Sequence, residues 1–253
     1  MDLNVTLHLG KYRRYLWEKP NLLVVLGDFP EVVVSKKLYE ERHGISEVAG
    51  DERETLERIM AAACLAATSL AQRESWGWTL TLPDSPHGFF CGVEPEGMIC
   101  GTVKEAPRER GSVHLHRQKA DGPLMESHYA PESEDPVAAV QRYFEQVEQI
   151  RTRMALDPDG SGVLVQALPE GDFDSVVDLA DREMISLCRQ KAQDGDFTPL
   201  QEVLMFYECR CDDKMILDMI TTLPDAAREE LWGDEKELNI ECPRCARKYV
   251  LTR

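Results

Sequence analysis

Cys209-Arg-Cys211 and Cys242-Pro-Arg-Cys245 are two close pairs of cysteines near the end of a 253-residue chain, and thirty residues separate them. Zinc prefers four tetrahedral ligands, and thiolates suit it well. A C-x-x-C turn places two sulfurs on one metal ion, and a C-x-C pair can do the same from an extended segment. The spacing therefore predicts one Zn²⁺ per chain, bound in the reduced state by the thiolates of Cys209, Cys211, Cys242 and Cys245.

The residues around these two pairs predict a compact cysteine module over residues 208–253. A helix is expected to begin at Asp212, a second short helix follows Pro224, and residues 238–240 and 249–251 are predicted strands that flank the C-x-x-C turn. A core of about 45 residues is rarely stable without a staple, so we expect metal binding to be coupled to folding. A stable module with free thiols, or with two disulfides, is the alternative.

Upstream of the module, the hydrophobic pattern alternates between strand and helix signals. The predicted helices cover residues 51–72 and 135–150, and the predicted strands cover 22–26, 31–34, 163–168 and several segments between 76 and 130. We therefore expect an α+β main domain over residues 1–168, with a mixed sheet and packed helices. Residues 169–207 are predicted to be a helical linker, with an amphipathic helix near 173–191 that an ordinary surface helix would match equally well.

Charge and composition limit the classes of function. The chain carries 46 acidic and 29 basic residues, a formal net charge of −17, and 43% of its residues are apolar. Such a chain can form a core but is repelled by phosphate backbones and anionic membrane surfaces, so we expect neither nucleic acid nor a membrane as a partner. The first twenty residues lack the apolar run of a signal peptide, which predicts a cytoplasmic protein.

Other candidate residues give weaker signals. His114 and His116 share one face of a predicted strand, and exposed histidines are a better interpretation than a metal pair because the sequence shows no third ligand nearby. No HExxH, GxSxG, GxGxxG or GxxxxGK[ST] motif is present, so we expect neither an enzyme nor an ATP-dependent protein. The four remaining cysteines are interpreted as apolar core residues or left unassigned: Cys64, Cys91, Cys100 and Cys188.

The whole pattern resembles the heat-shock-protein-33 family, the redox-regulated holdase chaperones of bacteria. The specific match runs from Cys209-Arg-Cys211 through Leu223-Pro224 to Cys242-Pro-Arg-Cys245 and Tyr249. Weaker matches lie upstream at residues 14–18, 143–149 and 162–169, and they occur in the same order as in the family. This chain departs from the family in three places: Ser161 replaces one of two adjacent glycines, Cys100 occupies a usual arginine position, and the segment between Pro169 and Cys209 is shorter.

The resemblance implies a function that depends on thiol oxidation. Reduced thiolates bind zinc and keep the module folded, whereas peroxide or hypochlorite oxidises them and releases the metal. The linker and an apolar surface then become free to hold unfolding client proteins without ATP, and the activated chain forms a homodimer. The resemblance also implies the disulfides Cys209–Cys211 and Cys242–Cys245, against the alternative of a cross-pair such as Cys211–Cys242.

Two other functions fit the cysteine pattern. A zinc-stapled module could serve a constitutive interaction or regulatory protein, which would show no activity that depends on oxidation. A thiol–disulfide oxidoreductase could use Cys242-Pro-Arg-Cys245, although the βαβ context of a thioredoxin-like motif is missing from the sequence. Reduction of insulin disulfides would identify the oxidoreductase, and suppression of aggregation only after oxidation would identify the chaperone.

Overall fold

The computed structural model of the chain describes residues 7–106, 110–233 and 235–252, which form twelve strands and seven helices. The strands are β1 (Gly10–Trp17), β2 (Leu22–Gly27), β3 (Ser75–Thr81), β4 (His87–Val93), β5 (Met98–Glu105), β6 (Ser112–Gln118), β7 (Leu124–Tyr129), β8 (Thr152–Leu156), β9 (Gly162–Ala167), β10 (Thr198–Tyr207), β11 (Glu237–Glu241) and β12 (Lys248–Thr252). The helices are α1 (Pro30–His43), α2 (Gly50–Thr68), α3 (Pro136–Gln146), α4 (Asp174–Val177), α5 (Asp181–Asp194), α6 (Asp213–Thr221) and α7 (Asp225–Trp232).

Ten of the strands form one sheet, in the order β7-β6-β3-β4-β5-β10-β1-β2-β9-β8. Every neighbouring pair is antiparallel except β5 and β10, which run parallel and join the two halves of the sheet through Phe206↔Met98 and Tyr207↔Ile99. The predicted α+β class with a mixed sheet is confirmed. The short parallel contact matters for function because the first cysteine pair follows β10 directly.

The main core lies between the sheet and α2. Residues 61–66 of α2 are buried almost completely, and most of their side chains are small, so the helix axis can approach the sheet closely. α3 packs beside α2 and adds Tyr143 and Phe144, which contact Trp76 of β3. Its start at Asp135-Pro136 is confirmed, since the Asp135 carboxylate accepts a hydrogen bond from the backbone N–H of Val137.

A second apolar cluster lies on the other face of β2 and β9, under α4 and α5. Along these strands Val24, Val163 and Val165 alternate with residues that face the main core. They form one buried cluster with Val176 of α4 and Ile185 of α5. These helices therefore cover apolar sheet surface rather than lie free in solvent. The predicted single helix over residues 173–191 is divided into α4 and α5, and Glu183 caps α5 by accepting the N–H of Ala180.

Two predicted elements are wrong. Residues 31–34 were expected to be a strand, but they begin α1, with Pro30 in its first turn and Gly44 in the left-handed conformation at its end. The last ten residues of the predicted helical linker form β10, which pairs with β1 from Gly10↔Met205 to Leu16↔Thr198. That stretch lies in the middle of the sheet, so only its N-terminal part has the helical structure that the sequence predicts.

The C-terminal residues form a small unit of two helices and one hairpin, as the sequence predicts. Asp212 caps α6 through a 2.6 Å hydrogen bond from the N–H of Met215, and β11 pairs with β12 from Glu237↔Thr252 to Glu241↔Lys248. Buried apolar side chains fill the space between them: Ile216, Ile220, Trp232, Tyr249 and Leu251. A core of this size needs further support, and the four cysteines lie at its edge.

Candidate metal centre

Four loop positions bring the cysteine sulfurs to one point. Cys209 and Cys211 lie between the end of β10 and the cap of α6, whereas Cys242 and Cys245 lie in the turn between β11 and β12. All four side chains are buried, and their Sγ atoms lie within 4.8 Å of one another. Among the residues that the structure describes, this is the one group of three or more His, Cys, Asp or Glu side chains with that spacing.

The turn over residues 242–245 has the geometry of a metal knuckle. The N–H of Arg244 points at Cys242 Sγ at 3.4 Å, and Ala246 donates to the carbonyl of Cys242 at 2.9 Å. Ala246 lies in the left-handed region with φ of 63°, which closes the turn and returns the chain into β12. Backbone N–H groups directed at a sulfur favour its thiolate form.

Two tyrosines hold the sulfurs from either side. The hydroxyl of Tyr249 donates a 2.8 Å hydrogen bond to the carbonyl of Cys211, which fixes the C-x-C segment against β12. The hydroxyl of Tyr39, on α1, lies 3.5 Å from Cys245 Sγ. The centre is therefore built from the module and from the main sheet's own helix α1, so that its geometry depends on how the module docks.

The four thiols share their protons because they lie so close together. The hydrogen bond with Cys209 lowers the pKa of Cys211 to about 6, and the same partner holds the pKa of Cys242 far below its ordinary value. The contact with Cys209 also acts to lower the pKa of Cys245, but hydrogen bonds with Cys211 and Cys242 outweigh it and raise that pKa. Protons therefore collect on some sulfurs while others are thiolates, and a divalent cation would replace those protons.

The donor set fits zinc. Tetrahedral Zn–S bonds of about 2.3 Å place ligand sulfurs about 3.8 Å apart. Cys211 Sγ and Cys245 Sγ are 3.4 Å apart, and the limit of 4.8 Å for the whole group brackets the required spacing. The four cysteines are free thiols rather than disulfides, and soft thiolates select zinc or a similarly soft metal over magnesium or calcium. A buried four-cysteine group of this kind can hold one metal ion.

The sheet and the sequence both match known proteins. A family model for Hsp33 protein matches residues 30–252, which is most of the chain. This chain belongs to the Hsp33 family. Membership of a chaperone family supports a chaperone function, which in turn implies binding of client proteins.

Individual relatives agree with this assignment, and two of the three described below match nearly the whole Hsp33-family chain. A 33 kDa chaperonin of Aliivibrio salmonicida is 23% identical and aligns with 97% of this chain and 92% of its own length. A 33 kDa chaperonin of Shewanella frigidimarina is 27% identical over 44% of this chain and 45% of that protein. The crystal structure of the 33 kDa chaperonin of Thermotoga maritima superposes with a TM-score of 0.65 at 16% identity, covering 97% of this chain and 95% of that one, which shows a shared fold.

The module of this Hsp33-family chain docks on the sheet through charged side chains. Arg244, inside the knuckle, forms an ion pair with Glu94 at the end of β4, and Glu94 also accepts a 2.9 Å hydrogen bond from Ser75. Burial alone would raise the pKa of Glu94, but its hydrogen bonds with Arg244 and Ser75 lower it overall. Arg210 forms a second pair with Glu96 at the exposed rim.

Gly92 allows this close approach. A Cβ atom at Gly92 would lie 2.8 Å from Arg244 Nη2 and 3.3 Å from Cys100 Sγ. On the neighbouring strand, a Cβ atom at Gly101 would instead meet Leu56 and Met60 of α2. The module therefore covers the face of β4 and β5 opposite to α2.

Sequence reasoning missed Cys100. Its thiol lies on the face that the module covers, and the nearby thiol of Cys209 holds the pKa of Cys100 below its ordinary value. The two residues are brought together by the parallel contact of β5 and β10, where Glu208 donates a 2.9 Å hydrogen bond to the carbonyl of Ile99. Nothing in the spacing of the cysteines could indicate this contact, because more than a hundred residues separate them.

The remaining candidates do not form a second centre. His114 and His116 are exposed on β6, as expected, and the structure adds His128 of β7, whose ring stacks on His114 at 4.2 Å. Cys64, Cys91 and Cys188 are buried and outside the four-cysteine group. The C-x-x-C turn lies between two antiparallel strands, so it does not have the strand–helix setting of a thioredoxin-like motif.

No helix among the described residues is both long and apolar enough to cross a membrane. The N-terminal stretch for which the sequence predicts no signal peptide includes residues 1–6, which lie outside the described residues.

Proposed function

We propose that this chain is a redox-regulated, ATP-independent holdase chaperone that binds unfolding proteins when oxidation of its thiols releases zinc. The observation that carries the proposal is the group of four buried thiols within 4.8 Å of one another, in a module that has little core of its own. Membership of the Hsp33 family supports the chaperone part. We propose a main domain over residues 1–168, a linker over 169–207 whose last ten residues form β10 of the main sheet, and a module over 208–253.

Cys209, Cys211, Cys242 and Cys245 would hold the metal ion in the reduced chain. Zinc, when bound, would cross-link the segment after β10 to the β11–β12 turn, which is the staple that a core of this size requires. Tyr249 and the N–H of Arg244 orient the two halves for this role. One zinc ion per chain is the expected stoichiometry.

Oxidation removes the ligands. A thiolate that attacks a peroxide becomes a sulfenic acid, and a neighbouring thiol then forms a disulfide with it. We propose Cys209–Cys211 and Cys242–Cys245 as the final disulfides, because sequence neighbours stay at high effective concentration after the module opens. Peptide mapping of fully oxidised protein tests this pairing, and a dominant disulfide such as Cys211–Cys242 would contradict it, since that bond would keep the module closed.

The client-binding surface would come from the covered faces of the sheet. α4 and α5 cover Val24, Val163 and Val165, and the module covers Phe90 and Gly92. If α4, α5 and the module moved away from the sheet, they would expose apolar sheet surface of the kind that binds unfolded chains. The high negative charge would keep the opened form soluble, and we propose a cytoplasmic protein that dimerises when active.

The deciding experiment measures metal release and client protection side by side. Reduced, zinc-loaded protein and peroxide-treated protein are compared for zinc in solution and for light scattering by a chemically denatured client. The proposal predicts protection only after oxidation, in parallel with zinc release. Protection of equal strength before and after oxidation would instead support a constitutive zinc-stapled interaction protein, and catalytic reduction of insulin would support an oxidoreductase.

A further inference from the structure

The edge strand β8 turns one of its faces toward the linker helices. Side chains of a strand alternate between its two faces, so one face of this segment carries every second residue: Arg151, Arg153, Ala155 and Asp157. Ala155 belongs to the buried cluster under α4 and α5, whereas its neighbour Met154 belongs to the main core. The two arginines therefore lie on the face of β8 against which the linker helices pack.

Arg153 contacts the junction between α4 and α5. Its guanidinium donates hydrogen bonds of 2.8, 3.0 and 2.5 Å to three backbone carbonyls, those of Val176, Val177 and Leu179. A fourth hydrogen bond, 2.6 Å long, joins it to the carboxylate of Asp181, the first residue of α5. One side chain of the sheet is therefore bonded to the end of α4, to the turn and to the start of α5, and we call this set of four bonds the Arg153 clamp.

The clamp supplies hydrogen-bond donors that the short helix itself lacks. The last four carbonyl groups of an α-helix have no N–H partner within the helix, and α4 has only four residues. The side chain of Arg153 is 17% exposed, so water has little access to these bonds, and hydrogen bonds with a charged group are stronger than neutral ones. Without Arg153, α4 would keep its apolar contacts but lose the donors for its C-terminal carbonyls.

The other polar contacts between this face of β8 and the linker lie nearer the surface. Arg151 pairs with Asp174 at 3.1 Å, but their side chains are 57% and 82% exposed. Arg189 of α5 pairs with Asp157 at 2.7 Å, and both side chains are also partly exposed. Exposed ion pairs contribute little to stability, because water screens them and both side chains lose conformational freedom. The Arg153 clamp is therefore the polar contact that holds the linker most strongly.

We infer that the Arg153 clamp holds the linker closed on the sheet, and that it sets how readily the client-binding surface opens while the four thiols remain reduced. The inference rests on the proposed function in taking α4 and α5 as the cover of that surface. Along the chain β10 separates α5 from the module, and β10 is paired in the middle of the sheet, so the docking of the linker depends on its own contacts as well as on the metal ion. Weakening those contacts shifts the equilibrium between the closed and the open linker by the free energy that is lost.

The test compares three variants of the full-length protein, reduced and loaded with zinc. Arg153→Met keeps the apolar length of the side chain but removes its donors, whereas Arg153→Lys keeps a positive charge near Asp181 without the planar set of N–H groups. Arg151→Met is the matched control, because it removes an exposed ion pair from the same face of β8. Methionine can also retain contact with the Phe173 ring, over which the Arg151 guanidinium lies at 4.8 Å. The measurements are zinc content, the rate at which iodoacetamide alkylates Cys188, and light scattering by a denatured client.

Arg153→Met should expose the linker without loss of metal. Cys188 is buried on α5, so its alkylation requires that helix to leave the sheet. We expect its labelling rate to rise about 30-fold, which corresponds to about 2 kcal/mol, the contribution of a hydrogen bond with a charged group. Arg153→Lys should give a smaller increase, and Arg151→Met should stay near the wild type. The reduced Arg153→Met protein should also protect the client, which reduced wild type should not, and Cys64 in α2 should stay unlabelled throughout.

Two results would overturn the inference. One is labelling of Cys188 that is no faster in Arg153→Met or Arg153→Lys than in Arg151→Met. The other is a reduced Arg153→Met protein that is labelled quickly at Cys188 but gives no protection, although peroxide-treated wild type protects the client. Labelling of Cys64 would show that Arg153→Met has lost the main core, and Arg153→Lys, which keeps the charge, then decides by the same two criteria. Peroxide-treated wild type that fails to protect would reject the chaperone proposal, and the labelling of Cys188 would still decide whether Arg153 holds the linker.

Discussion

At the scale of single residues, the centre depends on side chains that no cysteine motif contains. Gly92 leaves space for Arg244, Glu94 pairs with Arg244, and Tyr39 reaches Cys245 from α1. Each contact joins the knuckle to the main sheet, so metal geometry and module docking are coupled. Substitutions at these positions should therefore change the stability of the module without removing a ligand.

Glu94→Gln should loosen the docked module. The glutamine amide can still accept a hydrogen bond, but the charge opposite Arg244 is lost, and hydrogen bonds with charged groups contribute about 2 kcal/mol each. We expect amide hydrogen exchange in β11 and β12 to become about 30-fold faster in the reduced, zinc-loaded protein, since a tenfold change is about 1.4 kcal/mol. Glu96→Gln is the control, because Glu96 and Arg210 are both exposed and such pairs contribute about 0–1 kcal/mol. Equal effects of both variants would contradict the role given to Glu94.

Cys245→Ser should greatly weaken zinc binding while the fold of the sheet persists. A serine hydroxyl is a poor ligand at neutral pH because it stays protonated, and three thiolates would remain. Metal analysis of protein purified under reducing conditions should find one zinc per wild-type chain and substantially less in the variant. Cys188→Ser is the control, since Cys188 lies on the buried face of α5 and outside the four-cysteine group. Wild-type protein with only a trace of zinc would rule out the assignment of the ligands.

At the scale of elements, the helices α2 and α5, which pack on the sheet, differ in how much of their surface is buried. α2 is buried in the main core, whereas α5 packs on the second cluster and its outer face is exposed. The two helices each carry one buried cysteine, Cys64 in α2 and Cys188 in α5. These thiols can report separately on the core and on the linker.

Cys188 should become reactive when oxidation releases the linker. Burial raises the pKa of Cys188 to about 12, and burial likewise raises the pKa of Cys64 to about 12. Because the thiolate is the reactive form, both should resist iodoacetamide at pH 8 in the reduced protein. After peroxide treatment, mass spectrometry should find alkylated Cys188 and unmodified Cys64. Labelling of both, or of neither, would mean that α5 does not separate from the sheet as a unit.

The sequence predicts the elements in which apolar residues recur regularly over many positions. It does not predict correctly the elements whose apolar run is short, such as the start of α1, or whose strand pairs with a distant part of the chain, such as β10. α2 and α3 follow from recurring apolar residues and from Asp135-Pro136. Three consecutive valines at residues 32–34 favour a strand, although Pro30 and Gly44 are ordinary helix boundaries, because a run of three apolar positions has no clear period. In β10, alternation of Val203, Met205 and Tyr207 carried a strand signal that the linker assignment overlooked.

The same limit applies to the metal centre. The four cysteines could be predicted as one site because the two residues of each pair are close in sequence. Zinc requires four ligands, which indicates that the two pairs bind the same ion. Tyr39, Glu94 and Cys100 reach the centre only through the sheet topology, since β4, β5 and α1 are far from the module in the sequence. A single sequence carries no signal for such contacts, and the structure is needed to find them.

At the scale of the whole molecule, the chain combines a stable sheet with a small cysteine module whose stability is expected to depend on a bound metal ion. β10 belongs to the sheet through its long antiparallel pairing with β1, and the first cysteine of the module, Cys209, lies two residues after β10 ends. The main domain contributes the large buried aromatic residues of β3 and α3 to the core, whereas the module adds to the same cluster only a few apolar side chains and the four thiols. The two parts should therefore respond differently to loss of the metal.

Removing zinc from the reduced protein with a chelator should unfold the module and leave the sheet intact. Trp232 is 5% exposed and is the one tryptophan of the module, since the other three are Trp17, Trp76 and Trp78 in strands of the sheet. Loss of the staple leaves too little buried apolar surface to offset the chain entropy of the module. We expect a red shift of tryptophan fluorescence that Trp232→Phe abolishes, together with fast hydrogen exchange after residue 211 and unchanged protection of β1 and β10. A module that keeps Trp232 buried without metal would show that its packing alone is sufficient, and zinc could not then control its folding.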